Sequence, residues 1–247
     1  MYTGSGSSSV FVAVDILLEQ ARCENCVSVE RVCSELRRQW STAVPTIAHY
    51  VFVYECLHEL LCINYAWLGA DMRRTFRLMS RPALSGGQTS FADQFDLLRR
   101  QTADHVVEAS PSSGHLLTLD SHRFRNCFIV AERPRGASDR LWRTVYTNRA
   151  RCVVTFADDD NEDEGSVDWK GDSGSFNLEM TEAEDGKGAV RWYTFKMTKT
   201  GSREHHSALI VRHFIFTGFS ANDTVPACRR DEFIRLIRSN QWRRLRG

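Results

Sequence analysis

Two thiols three positions apart, in Cys23-Glu24-Asn25-Cys26, have a spacing that serves soft-metal ligation and dithiol redox chemistry. No second pair at ligand spacing follows, and the pair falls at a helix end rather than after a strand. Sequence therefore assigns it neither zinc nor redox work. His205-His206 lies in a polar turn ahead of a strand, where solvated imidazoles are commoner than ligands. The acidic run Asp158–Glu164 lacks the central Gly and terminal Glu of a calcium loop, and like charges so close together need water, so it reads as a solvated loop. Arg229, Arg230, Arg235, Arg238, Arg243, Arg244 and Arg246 make a basic C-terminal segment. No array of base-stacking aromatics accompanies it, so a solvated helix face is expected rather than a nucleic-acid or lipid contact. No metal and no cofactor are expected.

Composition sets the frame in which any site must sit. A chain of 247 residues, 42% apolar and 26% charged, can bury a core as one large or two small domains. Thirty-two basic against 31 acidic residues leave a net charge of +1, which gives no field to attract nucleic acid or a membrane surface. The longest apolar stretches, Val10–Leu18 and Tyr50–Tyr54, fall well short of the roughly 20 residues that a membrane-spanning helix needs. Met1-Tyr2-Thr3-Gly4-Ser5-Gly6 has no basic region ahead of an apolar core and does not read as a secretory signal. Eight cysteines among apolar neighbours, as in Cys127-Phe128-Ile129-Val130, suit a reducing compartment, so a cytoplasmic location is expected.

The elements divide into a helical third and a β-rich remainder. VFVAVDILLEQAR at 10–22 is a dense apolar block behind a Gly/Ser loop. Val29, Val32, Cys33 and Leu36 recur at helical spacing, with Ser28 placed as an N-cap. Thr46 can cap a third helix whose Ile47, Tyr50, Val51, Tyr54 and Leu61 share one face. From about Arg73 to Gly114 the pattern weakens into linker and loop, interrupted by an amphipathic piece at Phe91–Leu98. Strands are expected at 127–132, 152–157, 175–180, 190–198 and 207–216, with helices at 139–146 and from Asp231 onward.

The order of a Gly/Ser loop, VFVAVDILLEQA, SVERVCSELRRQW and VPTIAHYVFVYECLHELL over the first 62 residues resembles the C-terminal half of a protein-tyrosine phosphatase domain, entered in the middle of its phosphate loop. That family follows the loop with such a helix, then a helix ending in Leu-Arg-Arg-Gln, then a Q-loop and a helix with a Gln-Tyr-x-Phe-x-Tyr pattern. Here that pattern reads His49-Tyr50-Val51-Phe52-Val53-Tyr54. Residues from about 91 to 247 resemble the N-terminal half of a second such domain, through CFIVAERP, Arg140-Leu141-Trp142-Arg143-Thr144-Val145, VVTF, Asp168-Trp169, RWYTFKMT, LIVRHFIFTGF and EFIRLIR. The end of one domain followed by the start of another is the arrangement of receptor-type phosphatases with tandem domains. The expected class is α/β, with a phosphatase-like C-terminal half-domain at 1–66, a linker at 67–90 and an N-terminal half-domain at 91–247.

The resemblance implies a chemistry whose parts can be checked one by one. A cysteine thiolate attacks phosphotyrosine, a cysteinyl-phosphate forms, and water hydrolyses it. Backbone N–H groups at a helix N-terminus and one arginine hold the thiolate ionised and cradle the phosphoryl oxygens. Counting back from Val10, Ser9 falls on the family's Gly, Ser8 on its Ser/Thr, Ser7 on its Arg and Met1 on its Cys. Gly4 and Gly6 fall on loop glycines, so part of the backbone anion cradle can survive. The plainer reading makes Gly4–Ser9 an unanchored tail. The Q-loop glutamine falls on Pro45, which offers neither side-chain hydrogen bond nor N–H. In the acid loop Phe219 and Ala221 take the family's Trp and Asp positions, with Asp223 able to serve only through a two-residue shift. The tyrosine-bearing substrate loop would lie between Phe95 and Leu116, where ADHVVEASPSSGH holds no tyrosine. Cys127 and Arg133 match the bare Cys-x5-Arg count, but the intervening FIVAE has strand character and no glycine.

No catalytic residue is therefore assigned. The expected function is that of an inactive family member, a pseudophosphatase or truncated product, with a binding or regulatory role in phosphotyrosine signalling. Its partners would be phosphotyrosine proteins or another phosphatase domain, not nucleic acid. The alternative is an active phosphatase whose sequence is incomplete, because the chain ends at Gly247 ahead of the strand and loop that would supply a second nucleophile.

Overall fold

A computed structural model describes residues 5–64, 66–82, 89–103, 116–131, 139–157, 175–184, 190–200, 208–217 and 227–244. The described residues group into two compact units.

The first unit opens with α1 (Ser5–Glu24). Val10, Ala13, Val14 and Leu17 are wholly buried and Phe11, Val12, Ile16 and Leu18 nearly so, as befits a helix that is apolar all round and surrounded by others. It ends at Asn25, whose φ of 55° is the left-handed cap conformation and whose N–H donates to Ala21 O at 3.0 Å. Next, α2 (Val29–Gln39) buries Val29, Cys33 and Leu36. The Ser28 side chain does not cap it. Instead the Ser28 N–H donates to Gln20 Oε1 at 3.1 Å, which ties the corner to α1. At the head of α3 (Ile47–Asn64) the Thr46 hydroxyl accepts the His49 N–H at 3.3 Å, the expected cap.

Two further helices lie where a weak pattern was expected: α4 (Ala66–Met79) and α5 (Ser90–Ala103). Part of the stretch expected as linker, 67–90, is thus helical. The physical reason is aromatic packing: Tyr54 meets Phe91 with ring centroids 5.0 Å apart, Phe76 meets Phe91 at 5.4 Å and Tyr50 meets Phe95 at 5.8 Å. These contacts bind α3, α4 and α5 together. A polar key accompanies them, because the Tyr50 and Tyr54 hydroxyls both donate to Gln94 Oε1, at 2.8 and 3.0 Å. A short antiparallel pair, β1 (Leu117–Leu119) and β2 (Phe128–Val130), completes the unit, its Asn126 N–H held by Asp120 Oδ1 at 2.8 Å.

The second unit is a four-stranded mixed sheet in the order β3-β6-β5-β4, built from β3 (Cys152–Ala157), β4 (Phe176–Glu184), β5 (Val190–Lys199) and β6 (Leu209–Thr217). Only the β3–β6 pair is parallel; the others are antiparallel. Alternation along β6 sends Leu209 and Val211 to one face and Phe216 to the other. Trp142 and Val145 of α6 (Asp139–Thr147) cover the first face together with Phe176, Phe195 and Met197. Phe233 of α7 (Ala227–Arg244) packs on the second, 5.8 Å from Phe216 and 6.3 Å from Phe156. That last helix begins four residues before its expected start near Asp231. Along β4 the register shifts between Met180 and Glu182, a bulge that with the exposed Glu179 and Glu182 blunts an edge strand. The α/β class expected from sequence holds for the chain.

Candidate functional site

The residues singled out by sequence converge on the first turns of α1. Met1 and Gly4 lie outside the described residues; Gly6, Ser7, Ser8 and Ser9 lie within the helix. The expectation of an unanchored tail fails from Ser5 onward, because packing holds this end: Ser9 is wholly buried and Ser7 is 9% exposed. The Ser9 hydroxyl donates to Gly6 O at 2.7 Å and accepts the Val44 N–H at 2.8 Å. Gly6 is needed by close approach, since a Cβ there would overlap the imidazole of His49.

The loop that meets this turn is held from both sides. Arg37 Nη1 donates to Ala43 O at 3.0 Å and to Val44 O at 3.1 Å. Val44 is wholly buried and has a φ of 45°, a sparsely populated conformation for a β-branched residue that survives only where its surroundings fix it. Pro45 follows. Beyond it, Thr46 Oγ1 and His49 Nδ1 lie 2.8 Å apart, and His49 is 7% exposed. Sequence brought together the serines, Pro45 and His49 only through the family register. It missed the roles of Arg37 and Ser9: nothing in LRRQ or SSS indicates that a guanidinium serves two carbonyls or that one hydroxyl links elements 35 residues apart.

What this arrangement can do is set by what it holds. The helix N-terminus supplies partial positive charge. A helix beginning at Ser5 already commits the amides from Ser9 onward to its own carbonyls, so fewer remain for an anion than an open loop would leave. Ser5, Gly6, Ser7, Ser8 and Ser9 include neither a thiol nor a guanidinium. Nor does the nearby cationic side chain stand in: Arg37 is held below its ordinary range first by burial and then by the Arg99 charge, and its Nη1 serves carbonyls. Cys33 offers no nucleophile, because burial pushes its thiol up to about 12.

The other candidates separate cleanly. Phe219, Ala221 and Asp223 of the acid loop lie outside the described residues, as do Arg133, His205, His206 and the Asp158–Glu164 run. Cys127 precedes β2, and Phe128, Ile129 and Val130 pair with Leu119, Thr118 and Leu117. Strand backbone therefore follows this cysteine where an anion-binding loop would have to turn inward.

Replacing Ser9 with Ala should cost about 1–3 kcal/mol of stability, because the Val44 N–H would be left buried without an acceptor. The urea midpoint of Ser9→Ala measures this; a midpoint equal to that of the parent would show that the Ser9–Val44 link does not hold the loop.

The first turn of α1 thus packs against the loop at Val44 and against the imidazole of His49, which the Thr46 hydroxyl meets. In comparison with known proteins, residues 2–59 match the family model described as Protein-tyrosine phosphatase. Over that stretch the chain is similar to the protein-tyrosine phosphatase family. It is similar to receptor-type tyrosine-protein phosphatase U of Gallus gallus, with 22% identity over 106 residues, which is 42% of this chain and 7% of that relative. The chain thus spans a small fraction of that relative's length. Among the described residues no helix is long and apolar enough to cross a membrane.

Proposed function

We propose that this chain is a catalytically inactive member of the protein-tyrosine phosphatase family, acting in phosphotyrosine signalling by binding rather than by turnover. The observation that carries the reading is the start of α1, where Ser7 occupies the position of the family's arginine and the turn is packed by Ser9, Val44 and His49. Without a guanidinium, developing charge on a phosphoryl group has only amide dipoles to meet it. Pro45 and Ala221, in the places of the water-orienting glutamine and the general acid, support the same conclusion. The partner would be a phosphotyrosine-bearing protein or another phosphatase domain, met in the cytoplasm, with the second segment as part of a tandem neighbour of the first.

The purified chain is expected to hydrolyse an aryl phosphate and a phosphotyrosine peptide no faster than a heat-killed sample. Turnover above that control would overturn the proposal and favour an active phosphatase. A phosphotyrosine peptide is expected to bind more tightly than its unphosphorylated twin, and equal binding would remove the phosphotyrosine-recognition role.

A further inference from the structure

The corner between α1 and α2 is organised around Glu24. Its Oε2 accepts Gln20 Nε2 at 3.0 Å and the Cys26 thiol at 3.6 Å, while its Oε1 lies 3.2 Å from His122 Nε2. Gln20 in turn holds the Ser28 N–H. Within this corner Cys23 and Cys26 are both exposed, in contrast to the buried Cys33 and Cys56. Asn25, in the left-handed conformation between them, turns the chain back at the helix end and keeps both thiols on the same corner.

Exposure, spacing and a shared helix-end corner ordered by Glu24 together point to oxidation chemistry that the spacing alone did not justify. A metal would need further ligands, and among the described residues no group of three or more histidines, cysteines or acids is placed to hold one. We propose that Cys23 and Cys26 form a hydroperoxide-sensitive dithiol that closes to a disulfide. The Cys23 thiolate attacks the peroxide; an S–O bond forms, the O–O bond breaks and the alcohol leaves, or water where the oxidant is hydrogen peroxide. Cys26 gives up its proton to water and, as thiolate, attacks the Cys23 sulfur; the S–S bond forms and hydroxide leaves, taking up a proton as water. Two thiols and one hydroperoxide thus give one disulfide, one alcohol and one water. Desolvation and the hydrogen bond to Glu24 hold the Cys26 thiol above its ordinary range, which makes it the poorer first nucleophile and places the initial oxidation on Cys23.

The bond would tie the last turn of α1 to the lead into α2 and withdraw the Cys26 donor from Glu24. Because both thiols are exposed, closure requires no opening of the core.

The test uses the full chain, treated with one equivalent of hydrogen peroxide, then alkylated and mapped by mass spectrometry. Expected is a peptide spanning 23–26 lighter than its dithiol by two hydrogen atoms, resistant to alkylation and restored by dithiothreitol. Cys26→Ser should instead trap Cys23 as a sulfenic acid that a dimedone probe captures, and Cys23→Ser should leave Cys26 alkylatable. Both thiols remaining alkylatable, both passing to sulfinic acids without a link, or linkage to other cysteines or between chains would each overturn the proposal. Circular dichroism of each variant confirms that it is folded.

Discussion

Raising the pH from 9 to 11 should strip roughly 5 kcal/mol from the stability of the first unit, through three buried groups that keep their protons in the fold and lose them in the unfolded chain. Cys33 is held up to about 12 by burial against an ordinary 9.0, and Tyr54 up to about 12, again mainly by burial, against an ordinary 10.0. Tyr50 is pushed up as well, first by burial and then by its neighbour Tyr54. A raised native value means that the unfolded chain binds fewer protons once pH passes its own pKa, so stability falls as pH rises. Below pH 9 the full contribution is present. At pH 11 the Cys33 thiol accounts for about 3 kcal/mol and each tyrosine for about 1 kcal/mol. Urea midpoints across this range measure the slope. Cys33→Val, which removes the thiol and keeps the volume, should reduce the slope between pH 9 and 11 by about 1 kcal/mol per unit. An unchanged slope in that variant, or native thiolate absorbance appearing near pH 9, would refute the assignment.

Truncating Trp142 to Ala should destabilise the second unit by about 3–5 kcal/mol. The indole is wholly buried and packs edge-on to Phe195 with ring centroids 5.6 Å apart and to His213 at 6.4 Å. It is the anchor by which α6 covers the sheet face formed by Phe176, Met197, Leu209 and Val211. A cavity of that size cannot close without moving several strands, and a urea slope of roughly 1–3 kcal/mol per molar converts the loss into a midpoint drop of one to several molar. Trp142→Phe, which retains an aromatic contact with Phe195, should recover part of the loss. A drop under about 1 kcal/mol for the alanine variant would mean that α6 does not depend on this side chain.

Wherever apolar periodicity was strong, the elements could be read before folding. The run from Val10 to Ala21 and the i, i+3, i+4, i+7 series at Val29, Val32, Cys33 and Leu36 became α1 and α2, and five β-rich stretches became strands or parts of strands. One helix escaped and another was read only as a short piece. Met72 and Phe76 in α4 are too widely scattered among charges to mark a helix until Phe91 is there to receive them, whereas Phe91, Phe95 and Leu98 gave the amphipathic centre of α5 but not its full length. A three-residue strand such as β1 carries no usable period at all.

The division between sequence and tertiary structure is sharpest at the start of α1. Sequence alone determined which side chains are on hand there: Ser5–Ser9 carry no thiol and no guanidinium, and Pro45 follows Val44, because residue type is a covalent property that folding does not alter. Tertiary structure alone decided that Ser5–Ser9 is ordered rather than a tail, and that Gly6 is required by the imidazole of His49 rather than by a turn. It also decided that Arg37 serves two backbone carbonyls instead of facing solvent or an anion. Each of these depends on groups that lie from 6 to 43 residues apart in the chain yet within contact in space. A local pattern reports only neighbours a few residues away, and a buried polar group takes whichever partner the packing leaves within reach.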